Sequence, residues 1–248
     1  MGLFDLPGPL LSAADSLLSF LSPLARLIFW AVFTGAVSML CYWVFSAQDK
    51  VADAKKAAID GRRALNAYEG HEFSEMWPLV SVSLQGSLRH FWVVLGPAVL
   101  GSLPALAVIV WVANQFGYIQ PEAGAPFQVY ADPAIELQLE RTGEDSYTLT
   151  YPSADAPVDI RLSDGAVLTQ LPLAAPVPII HKKLWWNSLI ANPAGYLVDD
   201  AAIDEIYFEI EPQQFLGFGP DWMRSWELSY FLLLIVTSLG IKFAFRID

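Results

Sequence analysis

Cysteine is nearly absent from this sequence: the single one, Cys41, sits inside an apolar run, which excludes a disulfide framework and a thiolate metal site. Histidine is scarce as well. His71, His90 and His181 lie far apart, and His71-Glu72 is followed by Phe73-Ser74-Glu75, which breaks the spacing of a two-histidine zinc helix. There is no GxSxG elbow and no phosphate-cradling loop ending in Gly-Lys. Without a converging acid, base and nucleophile, the chain reads as a non-enzyme that needs neither metal nor cofactor. Basic residues are few and unevenly placed. None precedes Arg26, so the opening stretch lacks the basic region of a secretory signal. From Tyr118 to Trp226, sixteen acidic residues face five basic ones, Arg141, Arg161, Lys182, Lys183 and Arg224. Such a surface repels phosphate, and nucleic acid is not an expected partner.

What the chain has in excess is apolar residues, 54% against 16% charged. That balance is too apolar for an ordinary soluble domain. Three windows carry it: Leu27 to Phe45, Phe91 to Ala113, and Leu228 to Ile241 with Phe243 to Phe245 beyond Lys242. Each approaches the ~20 residues a helix needs to cross ~30 Å of hydrocarbon. Lys50, Lys55, Lys56, Arg62, Arg63 and Arg89 fall between the first two windows, and Lys242 and Arg246 close the third. By the positive-inside rule both clusters are cytoplasmic, which predicts a multi-pass protein of the plasma (inner) membrane with its N-terminus outside and its C-terminus inside. Trp222, Trp226 and Tyr230 then read as an outer interfacial belt.

Six parts follow along the chain. Residues 1–22 carry Leu10, Leu11, Ala14, Leu17, Leu18 and Leu21 at helical spacing, with Ser12, Asp15, Ser16 and Ser19 elsewhere on the wheel, which suggests an amphipathic helix in the outer interface. Residues 23–46 form the first span. In 47–90, Val51, Ala54, Ala58, Gly61, Leu65 and Tyr68 recur at three- and four-residue steps, a seam for a coiled partner. Glu69-Gly70-His71-Glu72 makes a turn, and Phe73, Met76, Val80, Leu84 and Leu88 supply the apolar face of a second helix, giving a cytoplasmic antiparallel hairpin. Residues 91–114 form the second span, with Gly96-Pro97, Gly101 and Pro104 favouring a kink. In 115–222 the pattern changes to alternating runs, FQVYA, IELQLER, SYTLTYP, VDIRLSD, AVLTQLP and IYFEIE, separated by turn signals, which predicts an all-β extracytoplasmic domain, sandwich or barrel. Pro176 to Gly195, with Trp185-Trp186-Asn187, reads as a strand followed by a loop or short helix near the bilayer surface. Residues 223–248 hold the third span and a short tail.

Polar positions inside spans are costly and tend to face protein or water. On the first span Arg26, Thr34, Ser38 and Cys41 share a stripe; Gln85, Arg89 and Ser102 attend the second; Thr237, Ser238 and Lys242 lie on the inner half of the third. They line a groove, or they serve close packing, as Ala31 and Gly35 do at their four-residue spacing.

The stretches RLIFWAVFTGAVSMLCYWVFSAQDKVADAKKA, EMWPLVSVSLQGSLRHFWVVLGPAVL and GPDWMRSWELSYFLLLIVTSLGIKFAFR, in this layout, resemble the YidC/Oxa/Get insertase superfamily. The likeness is to its minimal three-span branch, which includes archaeal YidC-like proteins and the insertase subunit of the endoplasmic-reticulum membrane protein complex. The resemblance implies a chaperone-like protein without catalytic chemistry. A polar groove lined by Thr34, Ser38, Cys41, Gln85, Arg89, Ser102, Thr237, Ser238 and Lys242 would accept the hydrophilic flank of a newly made membrane protein. The long connection between spans two and three departs from that branch and points to a dedicated partner. The alternative is a noncatalytic subunit of a membrane complex whose acidic β-domain docks an extracytoplasmic partner, the spans serving as anchors in the lipid bilayer.

Overall fold

The computed structural model describes residues 1–70, 72–133, 136–143 and 146–247. Of the expected features, His71 in the hairpin turn, Ile135 at the start of IELQLER, and Glu144-Asp145 of a turn lie outside the described residues. The helices are α1 (Gly8–Ser16), α2 (Pro23–Phe45), α3 (Gln48–Asn66), α4 (Phe73–Phe116), α5 (Asp221–Arg224) and α6 (Trp226–Phe245). The strands are β1 (Pro126–Asp132), β2 (Glu140–Arg141), β3 (Ser146–Thr150), β4 (Val158–Arg161), β5 (Val167–Leu171), β6 (Ile179–His181) and β7 (Glu205–Phe208).

Three of the helices, α2, α4 and α6, are long and apolar enough to cross a membrane. At 44 residues α4 rises about 66 Å, roughly twice the thickness of the hydrocarbon layer, so much of it must extend beyond any bilayer it crosses. The parts 47–90 and 91–114 meet inside α4, which runs through residues 90 and 91 without interruption, with Pro78, Pro97 and Pro104 inside. Between α2 and α3 the chain leaves helical geometry at Ala47, whose ψ is 86°, and its carbonyl then accepts from the Val51 amide at 3.1 Å to start α3.

Two compact units divide the chain: Met1–Ile28 with Ala107–Tyr230, and Phe29–Leu106 with Phe231–Asp248. In the first, strands order β2-β3-β1-β7-β6 in one antiparallel sheet, and β4 and β5 form a second. Period-two alternation explains β1: Phe127, Val129 and Ala131 point into the core while Gln128 and Tyr130 lie on the other face. Ile160, Leu168 and Leu171 from the small sheet share that core with Ile180, Ile206 and Phe208 from the large one. The β4–β5 turn needs a glycine, since Gly165 sits at φ +91° and its amide reaches the Leu162 carbonyl at 2.9 Å. Among the described residues of the IELQLER run, only Glu140 and Arg141 pair as a strand; Leu137 instead bridges to Leu162. In the stretch from Pro176 to Gly195, β6 is followed by the 3-10 turn Trp185–Ser188.

Tyr151 ties the β-core together. Its buried hydroxyl accepts from the Gln120 amide nitrogen at 2.6 Å and from the Leu173 backbone N–H at 3.0 Å, while its ring packs on Phe127 at 4.9 Å between centroids. Burial pushes the phenol above its ordinary 10.0, although the Leu173 and Gln120 bonds oppose this. A phenol raised in the folded state contributes stability that is present below about pH 10 and is lost as pH climbs through the folded value. Tyr151→Phe should therefore lower stability at neutral pH by about 1–2 kcal/mol, because the Leu173 amide loses its acceptor. It should also flatten the loss of thermal midpoint above pH 10, read by near-ultraviolet circular dichroism of the purified full chain.

Candidate functional site

The polar positions of the spans are placed by contacts between helices that glycine permits. Within the second unit, a Cβ on Gly35 would lie 3.0 Å from Thr237 Cβ and 3.1 Å from the Leu234 carbonyl, so α2 and α6 meet almost backbone to backbone. One on Gly101 would lie 3.1 Å from the Tyr42 amide nitrogen, where α4 meets α2. Small residues at such crossings are how helices associate in lipid, where burying one apolar side chain against another brings little gain.

The same device joins α3 to the first half of α4. A Cβ on Gly61 would approach Ser83 Cα to 3.0 Å, and one on Gly86 would approach the Ala57 carbonyl and Ala58 Cα to 3.2 Å. As α3 advances from Ala58 to Gly61, its neighbour on α4 retreats from Gly86 to Ser83, so the two helices are antiparallel. Val51, Ala54, Ala58 and Gly61 are buried and Leu65 and Tyr68 half-buried, whereas Lys55, Lys56, Arg62 and Arg63 are exposed. At the turn, the Tyr68 hydroxyl lies 3.0 Å from the Glu72 carbonyl oxygen and 3.2 Å from Glu75 Oε2. Lost hydration and the neighbouring Glu75 carboxylate raise the Tyr68 phenol above its ordinary value.

The groove candidates separate into groups. Thr34 is wholly buried and its hydroxyl donates to the Trp30 carbonyl one turn back at 2.7 Å. Thr237 packs its side chain against Gly35. Ser38 lies on α2 one turn from both crossings, after Gly35 and before Tyr42; its Oγ is shielded and has no hydrogen-bond partner among the described residues. Cys41, Ser238 and Lys242 are half-buried. Gln85, Arg89 and Ser102 are exposed, and the Ser102 hydroxyl donates to its own helix at the Val99 carbonyl, 2.8 Å away.

Beside this crossing lies a cleft of about 420 Å³ that the polar stripe does not mark. Ala36, Met39, Leu40 and Trp43 of α2 form one wall, and Ile241, Phe245 and Ile247 the other. A tight helix end shapes its floor: Arg246 takes φ +53°, and the Ile247 amide turns back to the Lys242 carbonyl at 3.0 Å, a Schellman closure that buries Ile247. The i, i+3, i+4, i+7 spacing of the α2 wall was a usable signal, but inside an apolar run such spacing does not distinguish a cleft from a lipid-facing stripe.

In the first unit the structure reassigns several residues. Arg26 is no groove charge: its Nε donates to Asp15 Oδ1 at 3.0 Å, its Nη2 bonds Oδ2, and its guanidinium stands over the Phe116 ring at 5.3 Å from the centroid. Asp15, set apart from the leucines on the helical wheel of α1, is turned inward and buried with Leu11, whereas Leu10 and Leu17 face outward. Trp111 Nε1 donates to Ser12 Oγ at 2.9 Å and fastens α1 beside the end of α4. Of the expected aromatic belt, Trp222 is exposed, while Trp226 and Tyr230 are buried against each other at 5.7 Å.

No metal-binding group of His, Cys, Asp and Glu occurs among the described residues. No protein-family model, curated protein or solved structure matches the chain.

Two substitutions test this packing. Removing one partner of a buried ion pair strands the other, so Asp15→Leu should cost about 3–5 kcal/mol, and Asp15→Leu with Arg26→Met should recover most of that loss in thermal melts in detergent. Gly86→Val forces α3 and α4 apart at a cost of about 1–3 kcal/mol, and trypsin should cut severalfold faster at the exposed Arg62 and Arg63.

Proposed function

We propose that this chain is a three-span, insertase-like membrane protein that helps other membrane proteins to insert or assemble, acting as a surface and performing no covalent chemistry. The observation that carries the reading is the apolar cleft between α2 and α6, whose wall residue Ile241 is followed in sequence by the half-buried Lys242. A polypeptide crossing a membrane must desolvate its polar flank, at a cost of several kcal/mol for each unpaired group. A cleft that receives an apolar segment while the nearby ammonium group of Lys242 meets the flank lowers that cost. In this reading the α3/α4 pair is cytoplasmic, with its exposed lysines and arginines obeying the positive-inside rule, and the β-domain is extracytoplasmic.

A second reading has its own observation. The β-domain has an independent hydrophobic core and a charge of −11 between Tyr118 and Trp226, neither of which a groove requires. It suits a docking subunit of a membrane complex.

Depletion of the protein followed by quantitative membrane proteomics should lower the abundance, or alter the topology, of a subset of membrane proteins. Wild-type chain should restore them and Ala36→Trp, which fills the cleft, should not. An unchanged membrane proteome would sink the insertase reading. Restoration by Ala36→Trp, with partner capture intact, would favour the docking one.

A further inference from the structure

The loop from Leu184 to Ile190 turns its polar groups inward and its apolar groups outward. Asn187 is buried: its Oδ1 accepts from the Leu184 amide at 2.7 Å, and its Nδ2 donates to the Ile190 carbonyl at 3.2 Å. The N-terminal segment adds two further bonds. The Phe4 amide donates to the Leu189 carbonyl at 2.9 Å, and the Ala191 amide donates to Asp5 Oδ2 at 2.7 Å. Gly2 is needed for this clamp, because a Cβ there would stand 2.6 Å from the Leu189 carbonyl. The loop presents Leu184, Trp185, Trp186, Leu189 and Ile190 outward, Trp185 being 82% exposed. The clamping segment presents Leu3, Leu6 and Leu10 outward in the same way.

Two further observations say what covers this surface. Lys182 and Lys183, two of only five basic residues between Tyr118 and Trp226, stand one residue, Leu184, before the tryptophans. Lys182 is paired with Asp204 at 2.9 Å, and Lys183 is exposed. The neighbouring residues Ala191, Asn192, Pro193 and Tyr196 also share the lining of a cavity of about 460 Å³ with Trp111 and Asn114 in the last turns of α4. The loop thus lies at the level of the end of a membrane-crossing helix.

We propose that the Leu184–Ile190 loop and the N-terminal segment clamped to it form a second membrane anchor, seated in the headgroup layer of a bilayer containing anionic lipid. Tryptophan and lysine together are the side chains that settle at that depth, where headgroups and water can meet the backbone groups that the loop does not pair internally. Lys183 meets lipid phosphate. The β-domain is thereby held against the membrane by more than its helical connections, and this inference stands independently of the insertase reading.

The test uses the full chain in a Cys41→Ser background, with Trp185→Cys carrying a nitroxide, in vesicles of phosphatidylcholine with phosphatidylglycerol. An Asp155→Cys label, in an exposed turn between β3 and β4, is the aqueous reference. Oxygen collisions relative to those of a water-soluble nickel chelate should be severalfold higher at 185 than at 155, and Lys183→Glu should reduce the ratio at 185. Equal ratios at the two sites would overturn the proposal. So would a label shielded from both reagents, which would mean a protein contact instead. If Trp185→Cys does not fold, Ser188→Cys reads the same loop.

Discussion

Between helices surrounded by lipid, apolar side chains gain little by touching one another, because the acyl chains they leave are equally apolar. Association then depends on how closely two backbones can approach. In the second unit close approach falls on four glycines, of which Gly35 and Gly101 stand where the long apolar helices meet one another. Gly35 and Gly101 let α2 meet α6 and α4, and Gly61 and Gly86 let α3 meet α4, each at a separation that leaves no room for a methyl group to enter freely. Because α2 makes two of these contacts, about two turns apart, Ser38 between them is screened. The next face of the helix, from Ala36 to Trp43, is left to wall the apolar cleft.

The first unit is governed by charge and by hydrogen bonding. Arg26 and Asp15 are both largely removed from solvent, and each is tolerable there only because of the other and because the Phe116 ring accepts the guanidinium on its face. That pair, with the Ser12–Trp111 bond, holds α1 against the ends of α2 and α4. The residues before α1 in turn close the backbone of the 184–190 loop. A segment of the N-terminus is thus tied to a loop more than a hundred and eighty positions away, as the Asp5–Ala191 bond records with a separation of 186.

These two halves bear on function in different ways. The proposed receiving role draws on the cleft, and the proposed membrane seat of the β-domain draws on the tryptophan-bearing loop. Around that loop Asn187 is turned inward and hydrogen-bonded while the large apolar side chains are left outward.

Composition and periodicity alone determined that this chain carries three long apolar helices and a separate region of short alternating strands, because hydrophobic transfer and the period-two pleat are written residue by residue. The three- and four-residue steps of α3 likewise mark the positions that share one face. Other features depended on residues distant in sequence. Asp15 and Ser12 read as the solvent side of a helix until Arg26 and Trp111 are brought to them, and Trp226 and Tyr230 read as a belt until the fold buries them together. In the same way, Ala36-x-x-Met39-Leu40-x-x-Trp43 is indistinguishable from a lipid-facing stripe until Ile241, Phe245 and Ile247 stand opposite. Only the tertiary structure decided these, since a paired charge, a buried ring and a cleft each need a second wall that no local pattern contains.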